Sequence, residues 1–125
     1  MKLTDLEFKI IKVIWKLNEK ATIYDIITHW EESKKPGYTT ILKMLQIMER
    51  KKIVTHEKMG RNYAYIPLIN YDQFLQESIH SFAKAYFNGQ EFMFANTLIA
   101  QSTLSAQELT SIKELITQKE KELNS

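Results

Sequence analysis

Residues 38–67 decide the fold, and they read YTTILKMLQIMERKKIVTHEKMGRNYAYIP. The first half predicts a helix over residues 38–51, because its apolar side chains recur at helical spacing. These apolar side chains are Ile41, Leu45 and Met48. In the second half, residues 53–59 and 63–66 are rich in β-branched and aromatic residues and flank a turn that contains Gly60. The stretch therefore predicts a helix followed by a β-hairpin.

Two more helices are predicted upstream, and each begins with a capping box. Thr4 with Glu7 starts the first helix, and Thr22 with Asp25 starts the second, which is expected to cover residues 23–32. A Pro-Gly turn then separates the second helix from the third. The order helix, helix, helix, hairpin predicts a winged helix-turn-helix, a mainly α fold with a small β-hairpin.

The remaining residues predict a separate helical domain, so that the chain divides into a winged helix over residues 1–69 and a three-helix domain over residues 70–125. The last tail helix is predicted to begin with a third capping box, Ser105 with Glu108. The tail helices are short, and they offer too little chain to enclose a core of their own. A second copy would cover their apolar faces across a two-fold axis. We therefore predict a homodimer, with packing of the tail onto the amino-terminal domain as the alternative. The predicted dimer contacts are Phe82, Tyr86, Phe92, Phe94, Leu98, Leu109, Ile112, Leu115 and Ile116.

Positive charge is concentrated in one block of the chain. Residues 34–61 contain eight basic and two acidic side chains, a local balance of +6 in a chain whose net charge is only +2. Such a block is typical of a surface that binds a polyanion, although a solvated lysine face would have the same composition.

The third predicted helix and the hairpin carry the candidate binding residues. A recognition helix presents polar side chains near its amino end to base edges, while long basic side chains reach phosphates. The predicted base-reading residues are Thr39, Thr40, Lys43 and Gln46, and the predicted backbone contacts are Arg50, Lys51, Lys58 and Arg61. Double-stranded DNA is the partner that this pattern favours.

Signals for catalysis are missing from the sequence. The chain has no cysteine, its three histidines are scattered, and its three glycines form no phosphate-binding loop. We therefore expect no catalytic residues, no metal site, no cofactor and no enzymatic activity. Apolar runs are too short for a membrane span, and no signal-peptide pattern opens the chain, so a cytoplasmic protein is expected.

Four motifs identify a resemblance that runs nearly end to end. They are Leu3-Thr4-x-x-Glu7 with Ile14-Trp15, Tyr38-Thr39-Thr40-Ile41 with Leu45 and Met48, Gly60-Arg61-x-Tyr63-x-Tyr65-x-Pro67, and Leu104-Ser105-x-x-Glu108-Leu109. With these motifs the chain resembles the penicillinase-repressor family, the BlaI/MecI/CopY group of bacterial winged-helix repressors. The resemblance implies a homodimer that holds a palindromic operator and whose tails interlock.

The chain also departs from this family at several positions. Lys52 stands where many relatives have glycine, and Ile47 where many have a basic residue. In antibiotic-responsive relatives a membrane sensor triggers cleavage of an Asn-Phe bond, and the corresponding region here is Asn96-Thr97-Leu98. The Asn-Phe pair is not matched. Copper-responsive relatives carry paired cysteines, which this chain lacks.

The resulting hypothesis is a repressor that is relieved by proteolysis or displacement of its tail helices, with a membrane sensor protease or its effector as a further partner. Two alternatives stay open. One is a helical protein-interaction adaptor that does not bind DNA. The other is a repressor gated by a small molecule in a pocket lined by tail aromatics, namely Phe82, Tyr86, Phe92 and Phe94.

Overall fold

A computed structural model describes residues 2–125, which form six helices and a two-stranded antiparallel sheet. In chain order the elements are α1 (Asp5–Lys16), α2 (Ile23–Thr28), α3 (Tyr38–Arg50), β1 (Val54–Met59), β2 (Asn62–Pro67), α4 (Tyr71–Tyr86), α5 (Glu91–Gln101) and α6 (Ala106–Leu123). The predicted winged helix-turn-helix and the three helices after it are confirmed.

Three helices begin with the capping boxes that the sequence predicts. The hydroxyls of Thr4, Thr22 and Ser105 each accept a hydrogen bond from the backbone N–H three residues on. In return, the acidic side chains of Glu7, Asp25 and Glu108 accept from the N–H of the capping residue. Each box satisfies amides that a helix start leaves without a partner.

Helix α2 is shorter than expected, since it ends at Thr28 and not near residue 32. Its C-cap His29 donates its backbone N–H to the carbonyl of Asp25, and the His29 ring contacts the same carbonyl. Beyond this cap, Glu31 and Glu32 turn toward lysines of α1 with which they form ion pairs. Tertiary ion pairing of these carboxylates thus replaces the last helical turn that the sequence pattern predicts.

The hairpin is held to the helices by more than side-chain packing. Its strands pair from Val54 opposite Pro67 to Met59 opposite Asn62. Tyr65 in β2 also exchanges two backbone hydrogen bonds with Ala21, at 2.7 and 3.1 Å. Because Ala21 lies between α1 and α2, this bridge fixes the hairpin beside the helix-turn-helix.

The core of the amino-terminal unit lies where α1, α2, α3 and the hairpin meet. The three residues predicted to form the stripe of α3 have no exposed surface. The other large apolar side chains with at most 1% exposure are Ile10, Ile11, Ile14, Ile26, Ile53 and Val54. Burial of this stripe determines which side chains of α3 point outward.

Two compact units can be distinguished: one ends at Ile79 and the other spans His80–Ser125. In the second unit, Phe82, Phe87 and Phe94 form a ring cluster with centroids 4.8 to 6.3 Å apart. Ala83 is its only buried residue. The predicted boundary at residue 69 stays a prediction.

Candidate nucleic-acid interface

Helix α3 exposes all four predicted base-reading side chains. Thr39, Thr40, Lys43 and Gln46 are exposed, whereas the apolar stripe of the same helix is completely buried. The stripe occupies one face of the helix, so these polar residues lie on the faces turned to solvent. The arrangement leaves a polar surface of α3 free to enter a groove of double-stranded DNA.

The start of α3 differs chemically from the starts of the capped helices. Its N-cap is Gly37, which provides no side-chain cap hydrogen bond. The first-turn amides consequently keep their donor capacity, and the helix dipole adds partial positive charge there. This end of α3 therefore favours an anionic neighbour.

Lys51, predicted to contact the DNA backbone, forms an ion pair within the fold. Its Nζ lies 2.8 Å from the Oε2 atom of Glu7, and the Glu7 side chain has no exposed surface. Burial raises the pKa of Glu7, but hydrogen bonds from Lys51 and from Thr4 outweigh it and hold the pKa below its ordinary value of 4.5. This pair ties the end of α3 to the first turn of α1.

A second contact, between α3 and the wing, was not predicted. His56 in β1 lies with its Nδ1 atom 2.5 Å from Oε1 of Glu49 in α3. The His56 ring also packs against the rings of Tyr63 and Tyr65. Sequence periodicity could not find this pair, because the two residues belong to elements with different periods.

An open groove of about 650 Å³ runs between α3 and the hairpin, beside the His56 contact. Residues of both elements line it, namely Leu42, Gln46, Glu49, Arg50, His56, Tyr63 and Tyr65. Of these residues, Gln46 is a predicted base-reading residue and Arg50 is a predicted contact to the DNA backbone. The groove brings these two predicted residues together.

The wing places cations at its tip. Lys58 and Arg61 are exposed on either side of Gly60, whose φ of +63° lies in the region that glycine adopts most easily. Within residues 2–125, Lys43, Arg50, Lys58 and Arg61 form no ion pair. The cations of this surface are thus available for an external anion.

The lysines of α1 are different. Lys9 pairs with Glu32 at 3.0 Å, and both Lys12 and Lys16 pair with Glu31. These two lysines lower the pKa of Glu31 through hydrogen bonds. Two carboxylates within the chain therefore offset most of the positive charge of these three lysines.

Most of the predicted dimer contacts are exposed in the single chain. The exposed fractions reach 75% for Phe92, 73% for Tyr86 and 58% for Leu115, while Phe94 and Ile112 are half-buried. The region that corresponds to the cleavage site, Asn96-Thr97-Leu98, lies inside α5. A protease would have to unwind α5 locally to reach this backbone.

The histidines form no common site. His29 contacts backbone in α2, His56 pairs with Glu49, and His80 pairs with Glu91. Within residues 2–125 no group of three or more His, Asp or Glu side chains is arranged to hold a metal ion. None of the six helices is long and apolar enough to span a bilayer.

Comparison with known proteins gives three findings. A sequence model of the penicillinase repressor family matches residues 3–118. A penicillinase repressor from Bacillus licheniformis is 25% identical over 114 residues, which cover 91% of this chain and 88% of that protein. The solution structure of the Bacillus licheniformis BlaI monomeric form in complex with the blaP half-operator aligns with 27% identity and a TM-score of 0.49. This alignment covers 58% of this chain and 88% of that one.

Proposed function

The chain belongs to the penicillinase repressor family, and from this premise we propose that it represses transcription in the bacterial cytoplasm by binding a palindromic operator as a homodimer. The observation that carries the proposal is the surface of α3. Its apolar stripe is completely buried, while its polar residues are exposed beside a wing with unpaired cations.

Base reading is assigned to Thr39, Thr40, Lys43 and Gln46. A threonine hydroxyl can hydrogen-bond to a base, and its methyl group can contact a thymine. Glutamine pairs with adenine, and lysine with the acceptors of guanine. All four side chains are exposed on the first three turns of α3, which is the part of a recognition helix that meets base edges.

Phosphate binding is assigned to Arg50, Lys58 and Arg61. Their exposure and their lack of ion pairs within residues 2–125 support this role. Phosphate contacts release counterions, so affinity should fall steeply as salt rises. Lys51 was predicted to join this set, but its pairing with Glu7 supports a role in holding α3 in place.

Dimerisation through the tail is supported by the apolar surface of α5 and α6. Large side chains such as Phe92, Leu98 and Ile116 are more than half exposed. Large exposed apolar patches mark interaction sites, and these two helices supply side chains for one. Two copies would place their α3 helices in successive major grooves about 34 Å apart.

We assign relief of repression to loss of the dimer contact between the tails of the two copies. Two linked reading heads bind far more tightly than one, because the second binds at high effective concentration. Cleavage in the region 96–98, or displacement of the tail helices, would remove this gain. A membrane sensor protease or its effector is the partner that would deliver the signal.

The test is binding to the DNA upstream of the chain's own gene, compared with a scrambled duplex of equal length. We expect tighter binding to the upstream DNA and a dimer by sedimentation equilibrium. Arg50→Gln and Lys58→Gln should each make the salt dependence shallower, while Lys51→Gln should leave it unchanged. A folded monomer that binds neither duplex would instead support the protein-interaction adaptor.

A further inference from the structure

A second cleft lies on the amino-terminal unit, where α2, α3 and the wing meet. Its volume is about 130 Å³. We call it the tyrosine cleft, because four of its nine lining residues are tyrosines. Its lining includes Tyr24 from α2, Tyr38 from α3, Arg61 from the hairpin turn and Asn62 from β2. Of these residues only Arg61 belongs to the binding set derived from the sequence.

Three polar groups of the tyrosine cleft have no partner within the described residues, namely the phenol hydroxyls of Tyr24 and Tyr38 and the guanidinium of Arg61. Tyr24 is 58% exposed and Tyr38 is 44% exposed, although their rings pack against each other with centroids 5.3 Å apart. Within residues 2–125, neither phenol hydroxyl forms a hydrogen bond and the guanidinium of Arg61 has no ion pair. Ring packing orients both phenols while leaving their hydroxyls available as donors.

We propose that the tyrosine cleft binds one phosphodiester of duplex DNA, with Arg61 as the charged donor and the hydroxyls of Tyr24 and Tyr38 as neutral donors. This inference rests on the proposed function and assigns two further DNA-contacting residues to it. Tyrosine hydroxyls and arginine are both common phosphate contacts in protein–DNA complexes.

Charge complementarity favours an anion in this cleft. No aspartate or glutamate lines it, whereas the cleft lined by Lys9 and Lys12 also contains Glu31 and Glu32. In that other cleft the cations already pair with the acids. A guanidinium without a carboxylate partner can instead form two parallel hydrogen bonds to phosphate oxygens.

The position of the cleft favours a DNA phosphate over a small free anion. Tyr38 is the first residue of α3 and directly precedes the base-reading candidates Thr39 and Thr40. A phosphate held between α2, α3 and the wing would therefore set the register of α3 in the groove, which is the task of backbone contacts.

The experiment uses the full chain and a fluorescein-labelled 30-base-pair duplex of mixed sequence at low salt, with binding followed by anisotropy. Any duplex is suitable, because phosphate contacts are independent of sequence. We expect Tyr24→Phe and Tyr38→Phe each to weaken binding about tenfold, since each loses a hydrogen bond to a charged group. Their salt dependence should not change, because no cation is lost.

Arg61→Gln should weaken binding as well, but it should also reduce the slope of log K against log salt by about one for each copy bound. Tyr71→Phe is the matched control. Tyr71 is 48% exposed in the same unit, and its ring packs on Trp15 outside the cleft. This variant should bind like the wild type.

The outcomes separate the two proposals. A wild-type protein that fails to bind any duplex overturns the proposed function together with the cleft. Wild-type binding that both phenylalanine variants reproduce overturns the cleft alone. A third arm adds inorganic phosphate at constant ionic strength. Competition by phosphate that depends on Arg61, combined with unaltered DNA binding by the phenylalanine variants, would assign the cleft to a free anion and also overturn the inference.

Discussion

Glu7 is a carboxylate with no exposed surface, and it makes its contacts through a capping box and an ion pair. One oxygen accepts the N–H of Thr4 and the other pairs with Lys51. A buried charge is tolerated only when such partners replace water. At the scale of single residues, this contact links the first turn of α1 to the end of α3.

Glu7 should make the stability of the amino-terminal unit depend on pH. Because the pKa of Glu7 is lowered in the folded chain, its contribution is fully present above the ordinary value of 4.5 and is lost as pH falls through the lowered pKa. Urea unfolding between pH 3 and pH 7 measures this loss. The Glu7→Gln variant should flatten the profile in that acid range, and a profile as steep as that of the wild type would contradict the assignment.

At the same scale, Lys52 has a strained backbone conformation. Its φ is +63°, a left-handed conformation that costs a non-glycine residue roughly 1 kcal/mol. We expect Lys52→Gly to stabilise the chain by about 0.5 kcal/mol, because the relieved strain exceeds the added flexibility of the unfolded state. Denaturant midpoints measure the effect. Lys34→Gly, at an exposed position where φ is not positive, should give no gain.

At the scale of elements, short helices depend on their caps and on the neighbours against which they pack. Helix α2 has only six residues, too few to be stable alone. Its capping box and the buried side chains of Ile23 and Ile26 hold it in place. Helix α2 also supplies Tyr24, so the tyrosine cleft depends on its position.

Thr22→Ala should therefore destabilise the amino-terminal unit by about 1 kcal/mol, the usual effect of losing an N-cap. Denaturant unfolding monitored by tryptophan fluorescence reports on this unit, because both tryptophans, Trp15 and Trp30, lie in it. Ser105→Ala removes the equivalent cap of α6 and should leave that fluorescence transition almost unchanged. Equal shifts in both variants would argue against separate units.

At the scale of the whole molecule, the two units differ in how much surface they bury. The first encloses a core in which nine large apolar side chains have at most 1% exposure. In the second unit, Ala83 is the only residue that is buried. Apolar helices that cannot enclose a core are stabilised by association, which supports a second copy as the partner of the tail.

Leu115→Glu tests this association, because a charge placed in an apolar interface remains without a partner. We expect the dimer to dissociate in sedimentation experiments and operator affinity to fall about a hundredfold, as the avidity of two heads is lost. Lys119→Glu, in the same helix at an exposed polar position, is the control. Dimers of Leu115→Glu that are as stable as the wild type would move the interface elsewhere.

Local pattern was sufficient to predict much of this protein. Hydrophobic period, capping boxes and the glycine turn depend on residues close in sequence, so the winged helix, the three capping boxes and the exposed face of α3 could be predicted. The motifs at 38–41 and 60–67 likewise identified the family.

Tertiary structure alone decided which polar side chains are free and which are already paired. The pairing of Lys51 with Glu7 joins residues 44 positions apart, and the tyrosine cleft combines three separate elements. Beyond the early end of α2, Glu31 and Glu32 likewise pair with lysines of α1. Such contacts depend on how elements pack in space, and packing brings together residues that no local period or spacing relates to each other.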